Sequence, residues 1–546
     1  MCKKAITTAA VGLALLGLVG TSMAADIQIN LYGASAQYLY WNSAAATYLT
    51  GKGCAVTGPV QTTDSKNGYT IGTGCTDANN YAIRYSSKAS YDGILALKGD
   101  DSQAGAADKC LDTDFVCDMT GTSTTNQVGS GQHGFYRLMK ANSTAGDNTR
   151  CCAKVNVAAS DVAGSAFTQN SHGCLLGMAT VGQPGCTGSN WADRAFNGID
   201  TTGLTDDQPL IVPFGFFANN CITKTKCLAP DPTEPDYWNV TGNPDPNKDK
   251  AISSWGNQCY DPSNTGHSTD CIGYYKCVLN DDNTRTCAGG VRKGLACDSI
   301  SGTNGCPDVD VSATICERIP IDNITRLMAT LIYSGQATKW QDFGKWWDGD
   351  CDMASTSDQI YACMRHAGSG TQATFDIMMR GLGYGKDWLH TQTTASGRQI
   401  WFNDGSGDMM NCIAGKTWNS DGTTTARRNI GAIGFADCDQ IYGASASGTA
   451  RIAYENVHAL KYDGVECKRP KIRNGEYEFY SPNHDFFVTA DPNAAVFQAF
   501  IDYSKLPANL PPSKTGYWAT KAEMVFLKSG DTAWPARVAP TQPQVP

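Results

Sequence analysis

The sequence predicts an α/β fold interrupted by a disulfide-rich insertion, and three observations carry that prediction. Short apolar runs such as Leu210-Ile211-Val212-Pro213-Phe214 and Gly431-Ala432-Ile433-Gly434-Phe435 have the length and composition of buried strands. They alternate along the chain with segments of helical period, the pattern of layered strands and helices. Nine of the 23 cysteines crowd between residues 221 and 316, in a stretch rich in Asp, Asn, Pro and Gly. Little periodic hydrophobicity runs through it, so it depends on cross-links rather than on a core of its own.

With 546 residues, 41% hydrophobic and 17% charged, the chain is neither a disordered tail, a coiled coil nor a disulfide mini-protein. Its formal net charge of −9 leaves no electrostatic footprint for nucleic acid, so none is expected as a partner.

Taken in order, Lys3 and Lys4 precede an apolar run from Ala5 to Gly20, and Ser22-Met23-Ala24 supplies small residues at the positions a signal peptidase reads. Residues 1–24 are expected to be a cleaved secretory signal. The run falls short of the ~20 residues a spanning helix needs, so the mature chain is expected to have no membrane span. Cys2 lies before the run rather than after it, unlike a lipoprotein anchor. Setting Cys2 aside leaves an even number of cysteines, and an exported chain meets an oxidising compartment, so disulfides are favoured over metal ligation.

Leu31 to Trp41 reads as a strand, a small-residue turn and an aromatic helix. Gly51 to Arg150, rich in Gly, Ser and Thr, reads as loops carrying Cys54, Cys75, Cys110 and Cys117. The apolar stretch Val155–Val157 places Asp161 at a strand end, where a turn cap is the common role. Asp322-Asn323 are expected to cap a helix carrying Ile324, Leu327, Met328, Leu331 and Ile332, closed by Gly335. Asp491-Pro492 open another, with Ala495, Val496, Ala499 and Phe500 on one face.

The sharpest local signal is Arg365-His366-Ala367-Gly368-Ser369-Gly370-Thr371, followed by the helical Gln372–Met379. Gly-Ser-Gly-Thr opening a helix offers free N–H groups and two hydroxyls at the positive end of the dipole, suited to a small oxyanion. Arg365 can add a bidentate fork. An ordinary Ser/Thr cap is the competing use of the same string.

Taken together, Gly33-Ala34-Ser35-Ala36, Ala159-Ser160-Asp161, Val212-Pro213-Phe214-Gly215, Ser334-Gly335-Gln336-Ala337-Thr338-Lys339-Trp340, Arg365 with Gly368-Ser369-Gly370-Thr371, and Gly431–Phe435 form a series. In this order they resemble the phosphate-binding proteins of bacterial phosphate ABC transporters. The resemblance implies a two-lobed periplasmic-binding-protein fold with crossover strands, closing on an anion. It implies a periplasmic or extracellular protein that binds phosphate or a related oxyanion for an ABC permease, without catalysis or a cofactor. It divides the chain into a signal at 1–24, a first part of lobe I at 25–211, lobe II with insertion 221–316 at 212–454, and a return to lobe I with a C-terminal tail at 455–546.

Carried over by position, Arg365 resembles the ligand arginine, and Ser369, Gly370 and Thr371 the helix-N-terminal donors. Asp161 resembles the carboxylate that accepts the proton of hydrogen phosphate and repels fully ionised sulfate. Gln37 and Tyr38 fall where the family commonly has Thr-Phe, and Ser87 or Ser90 matches a hydroxyl in the following strand–helix turn. Two departures stand out. Ala367 replaces an Asp that orients the arginine in the family, so Arg365 must be held differently here. Gln37 offers an amide where Thr offers a hydroxyl. His366 reads as an exposed loop histidine.

The alternative function is a secreted structural or adhesive protein that reuses the scaffold, with the insertion as its contact surface. Convergence of Arg365, Asp161 and the Thr371 turn on an open pocket favours transport, and a filled cleft favours the structural role. A hydrolase is disfavoured, since neither a Gly-x-Ser-x-Gly elbow nor an H-E-x-x-H helix occurs. The acidic turns at Asp100-Asp101 and Asp281-Asp282 lack the spaced oxygens of a calcium loop. Short loops favour the local pairs Cys174–Cys186, Cys351–Cys363 and Cys110–Cys117.

Overall fold

The computed structural model describes residues 25–64, 66–168, 173–174, 191–192, 198–228, 277–279, 285–287, 315–344, 347–349, 359–380, 399–415, 431–440, 457–531 and 533–537. The expected signal, most of the insertion, Cys186 and Cys351 lie outside them.

The chain opens on β1 (Ala25–Ala34), buried throughout from Ile29 onward, and turns through Ser35–Gln37 into α1 (Tyr38–Gly51). Strands Ala55–Gln61 and Asn67–Thr73 lead to β2 (Asn79–Lys88), followed by α2 (Ser90–Leu97) and β3 (Val157–Ser160). After strand Leu204–Asp207 comes β4 (Leu210–Asn219), ten residues and all buried. The second half contributes α3 (Arg326–Ser334), β5 (Tyr361–Arg365), α4 (Gly370–Arg380), β6 (Gln399–Asn403), α5 (Ser406–Ile413) and β7 (Ala432–Asp437). Strand Val457–Ala459, β8 (Tyr480–Pro482), β9 (His484–Val488) and α6 (Ala494–Tyr503) follow.

These strands form two seven-stranded sheets, as an α/β fold of two lobes requires. In the first, β1 lies between β2 and β3, parallel to both, while β9 runs antiparallel to β3 and carries Leu204–Asp207 outside it. In the second, β5 is parallel to β6 and β7, and β7 is antiparallel to β4. Strands buried on both faces read as continuous apolar runs rather than alternating ones, which is why the runs at Leu210 and Gly431 are legible.

The link between sheets is β4 itself. Its first residues pair with β8 and with Ala519–Thr520, whereas Phe214–Ala218 pair with β7. β8 runs antiparallel beside it and continues through Asn483 into β9 of the first sheet. Among the described residues the chain thus crosses along β4 and returns along β8. Val457–Ala459 still pairs within the second sheet, so the return falls near Tyr480 rather than at residue 455. Aromatic rings fill the interior behind β4: Phe216 touches Tyr333, Phe375 and Phe435, and Phe375 stacks on Phe435 at 4.0 Å between centroids.

Several expectations need correction. The stretch from Gly51 to Arg150 holds more strand than its composition suggests: beyond the sheet strands, Phe115–Cys117, Thr122–Gln127, Tyr136–Lys140 and Arg150–Lys154 form a small sheet of their own between loops. Ser and Thr occupy exposed strand positions there, which hides the apolar alternation. α3 begins at Arg326, because the Thr325 hydroxyl accepts the Met328 amide 3.2 Å away, and Gly335 closes it in the left-handed region. α6 buries Phe497, Phe500 and Ile501, whereas Ala495 and Ala499 are exposed; the large apolar residues set its orientation.

The disulfides also depart from nearest-neighbour pairing. Cys110 bonds Cys152, Cys117 bonds Cys151 and Cys363 bonds Cys412, alongside Cys54–Cys75 and Cys438–Cys467. Cys151 and Cys152 are consecutive in one strand, so their side chains leave on opposite faces and take separate partners. Cys363 on β5 reaches the helix packed over its sheet, which loop length alone does not reveal. The insertion's described ends, Thr223–Leu228 and Ile315–Pro320, lie antiparallel, so it leaves and re-enters the fold at one place.

Candidate functional site

The site forms where α4 of the second lobe meets the ends of β1 and β3 of the first. β5 ends at Arg365, and the chain turns through Gly368 at φ 87° before α4 begins. Ser369 caps the helix: its hydroxyl accepts the Gln372 amide at 3.3 Å and its carbonyl the Ala373 amide at 2.9 Å. The Tyr91 amide donates across the lobes to Gly368 O at 3.0 Å.

Gly370 has no room for a side chain. A Cβ there would lie 2.3 Å from Ser90 Oγ and 2.8 Å from Asp161 Cβ. The next residue, Thr371, donates its hydroxyl to Asp161 Oδ2 at 3.2 Å. Gln37 Nε2 reaches Asp161 Oδ1 at 3.2 Å and Ser160 O at 2.8 Å, while its own carbonyl accepts Trp41 Nε1 at 3.1 Å. Ser90 Oγ accepts the Asp161 amide at 3.3 Å, and the Ser481 hydroxyl of β8 donates to Asp161 O. Gln37 is therefore committed to orienting Asp161.

Arg365 is the distinctive group. It is 1% exposed, its Nε donates to Asn403 O at 3.2 Å, its Nη2 to Asp404 O at 2.8 Å, and its Nη1 lies 3.5 Å from Thr371 Oγ1. Main-chain carbonyls at the end of β6 thus do the orienting that Ala367 cannot. Among the described residues no carboxylate stands within ion-pair distance of it. The other buried arginines of the first lobe differ. Arg84 is surrounded by Lys140 O, Gln28 Oε1, Asn30 Oδ1, Asp118 O and Ala141 O, and Arg137 forms a two-pronged pair with Asp92 at 2.6 and 3.2 Å. A guanidinium has five N–H donors, and among the described residues Arg365 has partners for three.

Burial holds the Asp161 carboxyl at about 6, against the opposing hydrogen bonds from Gln37 and Thr371 and the charge of Arg365. Burial and the neighbouring Asp439 likewise raise Asp437 to about 6, and burial raises Asp404. Desolvation lowers Arg365. His366 is fully buried rather than exposed, with Nδ1 2.7 Å from Ala367 O, and burial followed by the charge of Arg365 depresses it to about 3, so it is neutral at physiological pH.

Of the residues singled out in the sequence, Arg365, Ser369, Gly370, Thr371, Asp161 and Gln37 come together. Tyr38 is buried beside them, its ring 5.6 Å from that of Tyr85. Ser87 is half-buried opposite Gly33 in the sheet, its amide on Lys66 O; the hydroxyl at the site is that of Ser90. Ser481, Asp437 and the carbonyls of Asn403 and Asp404 carried no sequence signal, since carbonyls have no residue type and long chain separations hide the rest.

The lobes touch around this point through Lys66–Asp408 at 3.0 Å and Ser35···Ser406 at 3.4 Å. Cys110, Asp114 and Cys152 lie close enough to share a metal ion, but the two sulfurs are joined to each other, leaving no thiolate to ligate. No helix among the described residues is long and apolar enough to cross a membrane.

No family model matches the chain, and no curated protein matches it. Among solved structures it is similar to a putative phosphate ABC transporter substrate-binding protein with bound phosphate from Clostridium perfringens, at 12% identity and TM-score 0.34, over 87% of this chain and 92% of that one. An ABC-type phosphate transport receptor from Vibrio cholerae gives 10% identity and TM-score 0.32, over 87% and 93%. A possible phosphate binding protein from Planctomyces limnophilus gives 9% and 0.27, over 88% of each chain. Similarity this low leaves the site's own chemistry to carry the function.

Proposed function

We propose that this protein is an extracytoplasmic solute-binding protein that holds phosphate or a similar tetrahedral oxyanion between its lobes, for delivery to an ABC permease. The observation that carries this is the buried Arg365 guanidinium, which among the described residues has two N–H donors unmatched and no carboxylate in ion-pair contact. Buried N–H donors left without acceptors are costly, and the oxygens of an anion satisfy them. The N-terminus of α4 adds main-chain donors and a favourable dipole at the same place. Asp161 offers only lone pairs when ionised, so it selects an anion that still bears a proton. The Thr371 hydroxyl can turn from Asp161 to such an anion. Binding and release then follow from lobe closure about β4 and β8, with no bond made or broken in the solute.

A second reading is favoured by a specific contact. Thr371 already reaches Asp161 across the lobes, and Gly370 packs on Ser90, so the same fold serves a protein whose lobes stay joined and whose role is structural. Equilibrium binding of labelled phosphate separates the two. Micromolar binding that falls at least 100-fold in Arg365→Met supports transport, in line with loss of about 3 kcal/mol from charge-assisted hydrogen bonds. Absence of binding by the intact protein at millimolar phosphate, sulfate and arsenate refutes it.

A further inference from the structure

We propose that the C-terminal hairpin, Phe526–Lys528 paired with Pro535–Arg537, is a strap that fastens the two lobes to each other and opposes their opening. The hairpin has an anchor on each lobe and one on the strand between them. On the first lobe, Asp531 Oδ2 accepts the Ala163 amide at 2.7 Å, and Oδ1 lies 3.3 Å from Nε2 of His484, the first residue of β9. On the crossover, Lys528 Nζ donates to Tyr480 O at 2.6 Å, and the Tyr480 hydroxyl donates to Phe526 O at 3.4 Å. On the second lobe, Lys528 Nζ is 3.2 Å from Met378 Sδ of α4, and the Arg326 guanidinium at the start of α3 sits 4.6 Å above the Trp534 ring.

The anchors differ in kind. Asp531 and Lys528 are enclosed, whereas Trp534 is 56% exposed and held by one cation. An exposed cation–π contact is worth little, so Trp534–Arg326 is the weakest of the anchors and the first to release. Hinged lobes that move apart must carry Ala163 away from Arg326, and the hairpin cannot follow both. Cutting the Asp531 end, or the Trp534 contact that leaves only Lys528–Met378 on the second lobe, weakens the tie while the direct contacts Thr371–Asp161 and Lys66–Asp408 remain, and cutting the second end adds little. This inference rests on the two-lobed fold and not on the identity of the solute.

Hydrogen exchange on the oxidised full chain tests it at one amide. Tyr91 N–H is bonded to Gly368 O across the lobes, so its exchange reads opening, while Ile83 N–H lies inside the first sheet. Trp534→Ala is expected to speed Tyr91 exchange about two- to five-fold, the range set by an exposed cation–π contact. Asp531→Ala is expected to act in the same direction, the double variant to exceed the larger single effect only marginally, and Ile83 to be unchanged in all three. Unchanged Tyr91 exchange in both single variants overturns the strap. Equal acceleration at Ile83 also overturns it, by showing general loosening. Phosphate binding measured on the same variants reports separately, so the strap and the solute reading fail independently.

Discussion

Replacing Asp161 by Asn tests the electrostatics of the cleft directly, and the expected effect has opposite signs for stability and binding. Burial raises the carboxyl from 3.8 in the unfolded chain to about 6 in the folded one. Between those values the folded protein holds a proton that the unfolded chain has released. The folded state is therefore penalised progressively as pH climbs from 4 to 6, and the penalty is constant above that. A shift of about two units corresponds to about 3 kcal/mol at pH 8. Asn removes the charge and keeps an acceptor for Gln37, but turns an NH2 toward Thr371 and forfeits about 1 kcal/mol there. The variant should thus be about 2 kcal/mol more stable than the parent at pH 8, with the advantage vanishing near pH 4. Urea unfolding of the oxidised proteins at a series of pH values measures this, and phosphate affinity should fall in the same variant. A stability difference that does not change with pH would refute the reasoning.

Three further outcomes follow from the same geometry. Gly370→Ala forces its methyl against Ser90 Oγ and Asp161, and should destabilise the closed form by about 1–3 kcal/mol; a larger scattering radius checks it, and Ser90→Ala in the same chain should recover part of the loss. Burial lowers His484, but hydrogen bonds to Asp206 and Asp531 outweigh it and hold the imidazole at about 9. This raised value adds stability that is complete below pH 6.5 and lost as pH rises through 9, up to about 3 kcal/mol, and His484→Gln should flatten the alkaline limb of the stability profile. Replacing Cys363 and Cys412 together by Ala opens a loop with sequence separation 49 and should cost about 4 kcal/mol in reversible unfolding.

What could be read from the sequence was whatever local spacing encodes. The buried runs at Leu210 and Gly431, the helix after Gly370 and the strand before Asp161 all stand where their patterns put them. The cleft residues Arg365, Thr371, Asp161 and Gln37 were each visible as a residue in a suggestive turn, and three-dimensional structure adds their meeting. The rest required distant partners. Asn403 and Asp404 hold Arg365 through carbonyls, which any residue possesses. Cys412 lies 49 residues from Cys363, so nearest-neighbour pairing misassigned it. The strands between Gly51 and Arg150 were hidden because Thr and Ser fill their solvent-facing positions, and the start of α3 moved because the Thr325 hydroxyl outcompetes Asp322 and Asn323 as a cap.

The position of Pro213 has a mechanical consequence. It is the last residue of β4 in register with β8, and Phe214 is the first in register with β7. Proline has no amide hydrogen, so β4 offers no main-chain donor at this step, and bonding to the neighbouring chain resumes at Phe214, whose amide donates to Phe479 O at 2.9 Å. A sheet folds most cheaply along a line where nothing must be torn. The polypeptide therefore carries a ready-made crease, and swinging one half about it leaves the bonding on either side intact.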